Sequence, residues 1–347
     1  MRIAVVGAGS LGTVVGAMLT RAGLDVSMVD ANPEHVAALN SGGAVITGQL
    51  ELIQPVRALT PDQMTGLFDL AIYLVKSTYD ETALPQLLPH LGPQSVVLTL
   101  QNGVPEQRVA SFVGGERTLG GAVGWSAELT GPATSRLTSD PDLMTYDIGE
   151  LHGAMTERVA AAKSVLDRAG QASVTQNLPG VRWTKLLFNV AASGVSAALG
   201  ATGGQIMDND KACDVVILVM VEAVLTAQAL GISLEPMRGA DPSILLDIAR
   251  ADMGNARGLL KALITDMRDA KASMLQDLEK GLPCEVESLN GYLERKAAEV
   301  GITAPVNAQV AAIIRDIQEN KLSLAFSNLD RLELPALTTY FGEKEGM

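Results

Sequence analysis

Short apolar runs alternate with amphipathic stretches through the first half of the chain. The predicted strands are Ile3–Val6, Val26–Val29, Ala44–Thr47, Leu70–Val75 and Val96–Leu100, and the predicted helices include Ser10–Arg21 and Glu81–Leu88. Strands and helices that alternate at this spacing indicate a parallel sheet covered by helices on both faces. Residues 118–150 combine β-forming residues with glycine and proline, and we expect them to extend this sheet with antiparallel strands.

The pattern changes to helix from about Thr156 onward, with apolar residues at three- and four-residue spacing. The predicted helices are Thr156–Ala169, Arg182–Leu199, Lys211–Leu230, Ile244–Ala251, Ala256–Glu279, Cys284–Val300 and Asn307–Gln318, with one more strand at Ser173–Thr175. Proline and glycine interrupt the pattern near Asn177–Gly180. A single core seldom grows past about 250–300 residues, so the length of 347 residues also favours two domains. We therefore predict an α/β domain over 1–178 and an all-helical domain over 179–347.

One uncharged stretch, Leu186–Met207, has 22 residues and is long enough to span a membrane. It contains asparagine, serine, threonine, glutamine and four glycines, and Lys185 and Asp208 flank it. A membrane span is more uniformly apolar, so we predict a buried helix of a soluble protein followed by a glycine-rich turn. The chain starts without a basic and then apolar leader, and its two cysteines form no disulfide framework, so we expect a cytoplasmic protein.

The composition limits both the ligands and the chemistry. Acidic residues number 39 against 26 basic ones, a net charge of −13, and such a surface repels the phosphates of nucleic acids. Only 5 Phe, 5 Tyr and 2 Trp are present to stack on bases, so no nucleic-acid partner is expected. The histidines are His35, His90 and His152, and neither they nor Cys213 and Cys284 show metal-ligand spacing. We predict no metal site, and acid–base chemistry in the helical half must use another group.

A glycine-rich motif, Gly7-x-Gly9-x-x-Gly12, follows the first predicted strand and opens the first predicted helix. The first glycine permits a tight turn, the second lets the backbone approach a pyrophosphate, and the third lets helix and strand pack closely. Backbone N–H groups at the helix start, including those of Ser10 and Leu11, favour the anion. This context predicts a Rossmann-type dinucleotide site, and the alternative is a tight turn that binds nothing.

Asp30 ends the second predicted strand, 18 residues after Gly12. An acid at this place accepts hydrogen bonds from the adenosine ribose hydroxyls and repels a 2′-phosphate. Ala31 and Asn32 follow, so no arginine neutralises such a phosphate. NAD is therefore the expected cofactor, with NADP as the other possibility. In the alternative interpretation, Asp30 caps the helix that opens at Pro33.

Lys185 is the candidate proton donor and acceptor of the helical half. Spacing by four residues places Lys185, Asn189 and Ser193 on one face of a predicted helix, which provides an ammonium, an amide and a hydroxyl for a small anion. Desolvation beside a bound cofactor lowers the pKa of a lysine and suits it to proton transfer. Taken alone, the same residues also fit a solvated lysine and two polar groups that serve packing.

The chain resembles the ketopantoate reductase (2-dehydropantoate 2-reductase) family over nearly its whole length. Besides the glycine motif, the resemblance rests on Lys76 in LVKSTYDE, on Asn102 in LQNGV and on the stretch Trp183-x-Lys185-L-x-x-Asn189. The most specific part is SMLQDLEKGLPCEVESLNG, residues 273–291, which is similar to the family's Ser-Met-x-x-Asp pattern followed by an acid shortly before Asn-Gly.

The resemblance implies roles at the matching positions. Lys185 is then the general acid that protonates the carbonyl oxygen as a hydride arrives, and Glu285 hydrogen-bonds at the reacting centre. Lys76 and Asn102 face the nicotinamide from the carboxyl ends of sheet strands. The substrate's polar groups are held by Asn102, Asn189, Ser193 and Ser273, with Asp277 as support. From the residues alone, Glu285 also reads as a first-turn acid of a helix after Pro283, and Ser273 and Asp277 as a solvated helix face.

The chain departs from the family's pattern in ways that leave the substrate open. Ser193 stands where the family usually has a second asparagine, Asp30-Ala31 replaces its usual basic residue, and Lys280–Pro283 replaces its Gly-Arg. We expect an NAD(P)-dependent oxidoreductase, in which hydride passes between the nicotinamide and a 2-oxo acid/2-hydroxy acid pair. The substrate is either 2-dehydropantoate or a different 2-oxo acid or ketone. A dinucleotide-sensing protein without catalysis is the second hypothesis. Self-association, as a homodimer, is also expected.

Overall fold

The computed structural model of the chain describes residues 1–236, 239–265, 268–269 and 271–341. It divides into two compact units, Met1–Val181 and Arg182–Met347. The first unit is α/β and the second is helical, which confirms the predicted fold class.

The first unit is built on a mainly parallel sheet. Its strands and those of a smaller sheet are β1 (Arg2–Val6), β2 (Asp25–Val29), β3 (Ala44–Gly48), β4 (Leu52–Gln54), β5 (Ala58–Leu59), β6 (Phe68–Tyr73), β7 (Leu91–Thr99), β8 (Thr118–Val123), β9 (Ala127–Gly131), β10 (Thr134–Leu137), β11 (Thr145–Glu150) and β12 (Gln171–Val174). The large sheet has the order β12-β11-β8-β7-β6-β1-β2-β5. β1 is therefore an inner strand, between β2 and β6, and pairs in parallel with both.

Helices of the first unit belong to two separate apolar cores. They are α1 (Ser10–Arg21), α2 (Pro33–Gly42), α3 (Asp80–Leu87), α4 (Glu106–Val113) and α5 (Glu157–Leu166). Alternate residues of β1 enter different cores. Ile3 and Val5 lie in one core, and Ala4 and Val6 lie in the other. Burial on both faces is what makes these strands read as continuous apolar runs.

Two strand predictions in this unit were incomplete. β3, expected in the large sheet, pairs with β4 and β10 in a second sheet of order β4-β3-β10-β9. Gly43 precedes β3 and Gly48 is its last residue. Their positive φ angles, 80° and 89°, change the direction of the backbone at both ends of the strand. Of residues 118–150, only β8 and β11 form the expected antiparallel pair in the large sheet.

The described residues of the second unit form helices joined by turns and loops. These helices are α6 (Leu178–Phe188, which starts in the first unit), α7 (Gly194–Leu199), α8 (Gly203–Met207), α9 (Asp210–Ala229), α10 (Ile244–Ala251), α11 (Met253–Leu263), α12 (Ser273–Glu279), α13 (Asn290–Glu299), α14 (Pro305–Gln318) and α15 (Thr338–Phe341). α9 is central, because α8, α10, α11, α13 and α14 all pack against it. A helix enclosed in this way is apolar on every side.

α9 passes a test for membrane-spanning helices by length and hydropathy, but 78% of its most apolar stretch is buried inside the protein. Burial at the centre of a helical unit accounts for that composition. The stretch 186–207 contains the predicted buried helix, which Gly200 ends in the left-handed conformation, but Gly203 and Gly204 belong to α8 and not to the predicted glycine-rich turn.

Three helix predictions were wrong in detail. The single helix expected over Ala256–Glu279 was wrong, because α11 ends at Leu263 and α12 starts at Ser273, and no glycine or proline at positions 264–272 of the sequence indicates this. The helix expected from Cys284 begins only at Asn290, because residues 285–289 form a turn in which the Glu285 carbonyl accepts from the N–H of Ser288. The helix 182–199 is interrupted by a π-helical turn at Asn189–Ser193.

Candidate functional site

The glycine-rich turn between β1 and α1 has the geometry that a bound pyrophosphate requires. Gly7 has φ +89°, and a Cβ there would lie 2.6 Å from the Val75 backbone N. A Cβ on Gly12 would lie 2.0 Å from the Gly7 carbonyl oxygen, so this glycine is needed for close packing of strand and helix. Gly9 is the N-cap of α1, and no heavy atom of the described chain lies within 4 Å of the place of its Cβ. The turn therefore offers an open cradle of backbone N–H groups.

This turn is anchored from two sides. The N–H groups of Gly7 and Ala8 donate to the Val29 carbonyl of β2, at 2.8 and 3.2 Å. The buried His35 lies on the other side, where its Nε2 donates to the Ala8 carbonyl at 2.7 Å and its Nδ1 accepts from the Ala133 N–H at 3.1 Å. These contacts need a neutral imidazole with its proton on Nε2.

Asp30 follows β2 and is not the cap of α2. Asn32 caps that helix, since its Oδ1 accepts from the N–H groups of Glu34 and His35. The alternative interpretation of Asp30 was therefore wrong. Asp30 instead accepts from the Asn32 N–H with Oδ1, at 2.9 Å, and its Oδ2 has no hydrogen bond within the described part of the chain. One carboxylate oxygen thus remains for a ligand.

Lys76 and Asn102 follow neighbouring parallel strands, each three residues after the strand ends. Gln101 joins the two loops, because its Nε2 donates to the Val75 carbonyl at 2.8 Å and to Oδ1 of Asp80 at 2.8 Å. The carboxyl ends of such strands form the ligand-binding edge of open α/β sheets. The glycine turn lies at the same edge, since β1 is the neighbour of β6.

Lys185 lies near the end of α6 and is partly buried. The pKa of Lys185 is lowered to about 7, mainly by burial and in addition by the positive charge of Arg182, while the negative charge of Glu285 opposes both effects. Arg182 is 1% exposed and precedes Lys185 by one helical turn. A lysine with a pKa near neutrality both gives and takes a proton at physiological pH.

Asn189 and Ser193 are the first and last residues of the π-helical turn. Nδ2 of Asn189 and Oγ of Ser193 are both buried, and neither has a hydrogen-bond partner in the chain as described. Buried polar atoms without partners are rare in folded proteins, and π-helical turns are frequent at functional sites. These two groups are therefore candidates for ligand contacts.

The stretch 273–291 lies in the second unit and carries the predicted site residues Ser273, Asp277 and Glu285. Glu285 is 5% exposed and lies in the turn before α13, which starts only at Asn290, so the interpretation as a first-turn acid of a helix was wrong. Its charge acts on Lys185. α12 packs against α7 and the π-helical turn, with Asp277 buried and Ser273 exposed at its start. The interpretation of Asp277 as part of a solvated face was wrong.

The predicted residues thus form two groups. The glycine turn, Asp30, Lys76 and Asn102 belong to the first unit, and Lys185, Asn189, Ser193, Ser273 and Glu285 to the second. Arg182 and Gln101 were not predicted from the sequence. Spacing by three from Lys185 would have revealed Arg182, whereas nothing in the sequence indicates the contacts of Gln101.

The glycine cradle and the lysine of near-neutral pKa define an NAD(P)-dependent oxidoreductase that acts on a carbonyl/alcohol pair. Residues 3–152 match the family described as "Ketopantoate reductase PanE/ApbA", and residues 177–318 match "Ketopantoate reductase PanE/ApbA C terminal". The chain belongs to the ketopantoate reductase family.

Curated relatives and solved structures are similar to nearly the whole chain. The 2-dehydropantoate 2-reductase of Pyrococcus horikoshii is 29% identical over 317 residues, which cover 91% of this chain and 97% of that protein. A PanE/ApbA family ketopantoate reductase from Ralstonia eutropha has a TM-score of 0.78 at 27% identity, with 92% and 99% of the two chains covered. D-mandelate dehydrogenase with NADH and anilino(oxo)acetate shares the fold, with a TM-score of 0.78 at 22% identity and the same coverage.

Proposed function

We propose that Lys185 is the general acid with which this protein reduces a 2-oxo acid to a 2-hydroxy acid. The observation that carries the proposal is that Lys185, whose pKa is lowered to about 7, shortly precedes the π-helical turn with its two unpartnered polar groups. A reduced nicotinamide, when bound, supplies a hydride to the carbonyl carbon. Lys185 gives a proton from Nζ to the carbonyl oxygen, and it takes the proton back in the reverse direction.

The other residues of the second unit hold the substrate. Asn189 and Ser193 direct an amide donor and a hydroxyl to its polar groups, which gives their buried atoms the partners that they lack within the described chain. Glu285 hydrogen-bonds at the reacting centre, and its charge keeps the pKa of Lys185 from falling further. Ser273 contributes a hydroxyl from the start of α12, with Asp277 as support.

The cofactor in this proposal is NADH in preference to NADPH. The glycine cradle, formed by Gly7, Gly9 and Gly12 with the N–H groups of Ser10 and Leu11, holds the pyrophosphate. Oδ2 of Asp30 accepts from the ribose hydroxyls and its charge repels a 2′-phosphate. Lys76 and Asn102 face the nicotinamide, and Asn102 also contacts the substrate.

The substrate is 2-dehydropantoate or a related 2-oxo acid. The curated relatives carry the name 2-dehydropantoate 2-reductase, which favours the former. Ser193 favours the latter, since a serine is shorter than the asparagine common in the family and leaves more space beside the substrate. Assays with a series of 2-oxo acids, from 2-dehydropantoate to bulkier ketones, decide between them.

The assay follows the absorbance of the reduced nicotinamide with both cofactors. We expect turnover of at least one 2-oxo acid, with kcat/KM for NADH at least about tenfold above that for NADPH, as the loss of hydrogen bonds to a charged group would give. No turnover of any 2-oxo acid would contradict the proposal and leave the dinucleotide-sensing hypothesis. Asp30→Ala should remove most of the preference, whereas Asn32→Ala, which removes only the cap of α2, should leave it intact.

A cytoplasmic homodimer completes the proposal. Both cysteines, Cys213 and Cys284, are buried free thiols, which suits a reducing compartment. Sedimentation velocity tests the assembly, because the chain alone has a mass of 36.3 kDa. A sedimenting species of twice that mass is expected, and a monomer at micromolar concentration would contradict it.

A further inference from the structure

The hydrogen bonds at the π-helical turn are rearranged around the Val190 carbonyl. In a regular α-helix the Gly194 N–H would donate to Val190, four residues back. Here it donates to the carbonyls of Asn189 and Ala191 instead. The Val190 carbonyl accepts from Nδ2 of Asn290, at 2.9 Å, so the side chain of α13 takes the place of a backbone donor.

Gly194 makes this insertion possible. A Cβ at residue 194 would lie 2.7 Å from Nδ2 of Asn290 and 2.8 Å from its Oδ1, closer than any real side chain tolerates. The glycine and the asparagine therefore fit each other: one lacks the atom that would block the other. Asn290 is 0% exposed, so no water competes for the contact.

Asn290 is itself held in place by a chain of buried polar groups. Its Nδ2 also donates to Oδ1 of Asn307, and Nδ2 of Asn307 donates to the Asn290 carbonyl, both at 2.9 Å. The backbone N–H groups of Val306 and Asn307 donate to the carboxylate of Glu222, at 2.8 and 2.7 Å. The turn is thus tied through Asn290 to the start of α14 and to the central helix α9.

We propose that Asn290 is a positioning residue, whose side chain holds the π-helical turn so that Asn189 and Ser193 present their polar atoms to the substrate. The substrate part of this inference rests on the proposed function. Without the amide of Asn290, the Gly194 N–H returns to Val190, and the turn moves toward α-helical geometry. The side chains of Asn189 and Ser193 then change their direction relative to Lys185.

The test compares Asn290→Ala with a matched control, Asn328→Ala. Asn328 is also a buried asparagine of the second unit, and its Nδ2 donates to the carbonyls of Ala198 and Ser323, both at 3.0 Å. Both variants lose two side-chain hydrogen bonds, but only the first loses contact with the π-helical turn. We expect Asn290→Ala to raise KM for the 2-oxo acid at least tenfold, with the NADH dissociation constant within twofold of the wild type. Asn328→Ala should leave both constants unchanged.

Gly194→Ala tests the same contact from the other side and remains informative if Asn290→Ala does not fold. The added Cβ displaces the buried amide of Asn290, so we expect Tm to fall and KM for the 2-oxo acid to rise at least tenfold, with the NADH dissociation constant within twofold of the wild type. A fall in Tm without a rise in KM would contradict the inference. If KM changes equally in the Asn290 variant and in Asn328→Ala, Asn290 has only a structural role and the inference is wrong.

Amide hydrogen exchange separates this inference from the proposed function. The amides of residues 190–196 should exchange at least tenfold faster in Asn290→Ala, or in Gly194→Ala, than in the wild type and in Asn328→Ala. Unchanged exchange there would overturn the inference whatever the activity. A wild-type protein that turns over no 2-oxo acid, but shows this exchange pattern, would contradict the proposed function and leave the support of the turn by Asn290 intact.

Discussion

Arg182 precedes Lys185 by one turn of α6, and its charge adds to burial in lowering the pKa of Lys185. The two side chains lie on the same face of α6, and the positive charge of Arg182 disfavours the ammonium form of Lys185. Glu285 acts in the opposite sense, so the pKa of about 7 is the result of opposed charges around a desolvated amine. The protonation of Lys185 therefore depends on neighbours that can be changed one at a time.

The pH dependence of the two reaction directions should be opposite. Reduction of the 2-oxo acid needs Lys185 protonated, so kcat/KM for reduction should fall as the pH rises through about 7. Oxidation of the 2-hydroxy acid needs the neutral amine and should rise over the same range. Steady-state pH profiles in both directions measure this. Profiles that fall or rise together would argue against a shared acid–base group.

Substitutions of the two neighbouring charges should move this transition in opposite directions. Arg182→Met removes a positive charge, so the pKa of Lys185 and the falling limb of the reduction profile should move to higher pH. Glu285→Gln removes a negative charge and should move them to lower pH. Arg182→Lys keeps the charge and serves as the control, with its limb unshifted. If the falling limb of the reduction profile stayed at the wild-type pH in all three variants, a group other than Lys185 would be titrating.

The glycines of the cradle should separate cofactor binding from folding. Gly9→Ala adds a Cβ to open space at an ordinary negative φ of −65°, so Tm should stay within a few degrees of the wild type. The NADH dissociation constant should nevertheless rise at least tenfold, because the methyl group lies where the pyrophosphate approaches. Gly12→Ala places a Cβ 2.0 Å from the Gly7 carbonyl oxygen and should cost more than about 3 kcal/mol of stability.

Thermal unfolding and fluorescence titration of NADH measure the two effects. If Gly9→Ala bound NADH as tightly as the wild type, the pyrophosphate would not lie at this turn. If Gly12→Ala kept the wild-type Tm, the close packing of β1 and α1 would not depend on that glycine.

Glu222 should make the protein less stable as the pH rises toward neutrality. Burial raises the pKa of this carboxyl from its ordinary 4.5 to about 7, although it accepts hydrogen bonds from Tyr340 and from the start of α14. The folded state therefore binds the proton more tightly than the unfolded state. The stabilisation is fully present below pH 4.5 and is lost by about pH 7, a change of about 3 kcal/mol.

Urea unfolding between pH 4.5 and 8 measures this dependence. Glutamine does not titrate, so the difference in unfolding free energy between Glu222→Gln and the wild type should change over this pH range. Tyr340→Phe removes a hydroxyl that favours the carboxylate and should enlarge the fall. An identical pH dependence in the wild type and in Glu222→Gln would show that Glu222 does not titrate there.

The fold was predictable from the sequence where local pattern decides it. The glycine motif starts directly after β1 and runs into the first turn of α1. It marks where the helix begins, and α1 occupies the predicted range Ser10–Arg21. The pairing of β3 with β10 was not predictable, because Thr134 of β10 pairs with Val45 of β3, which lies 89 positions earlier in the sequence. Periodicity shows that a segment is a strand, but not which strand lies beside it.

The candidate site was predictable in its residue types more than in its geometry. Spacing by four brought Lys185, Asn189 and Ser193 together as one polar group, and the resemblance added Glu285. The π-helical turn that carries two of these residues depends on Asn290, which lies 100 residues after Val190 and contacts it only in the folded chain. Arg182 was visible in the sequence, but its effect on the pKa of Lys185 depends on burial that only the structure shows.

The most direct test of the account is the turnover of Lys185→Ala, with Lys211→Ala as the control. Lys211 is another lysine of the second unit, and its Nζ donates to the Leu329 carbonyl away from the proposed chemistry. We predict that kcat for reduction falls by about 10²- to 10⁴-fold in Lys185→Ala, with NADH affinity and Tm near those of the wild type. Added ethylamine should restore part of the rate, while Lys211→Ala keeps its full kcat. Near-normal turnover by a folded Lys185→Ala protein would contradict the account.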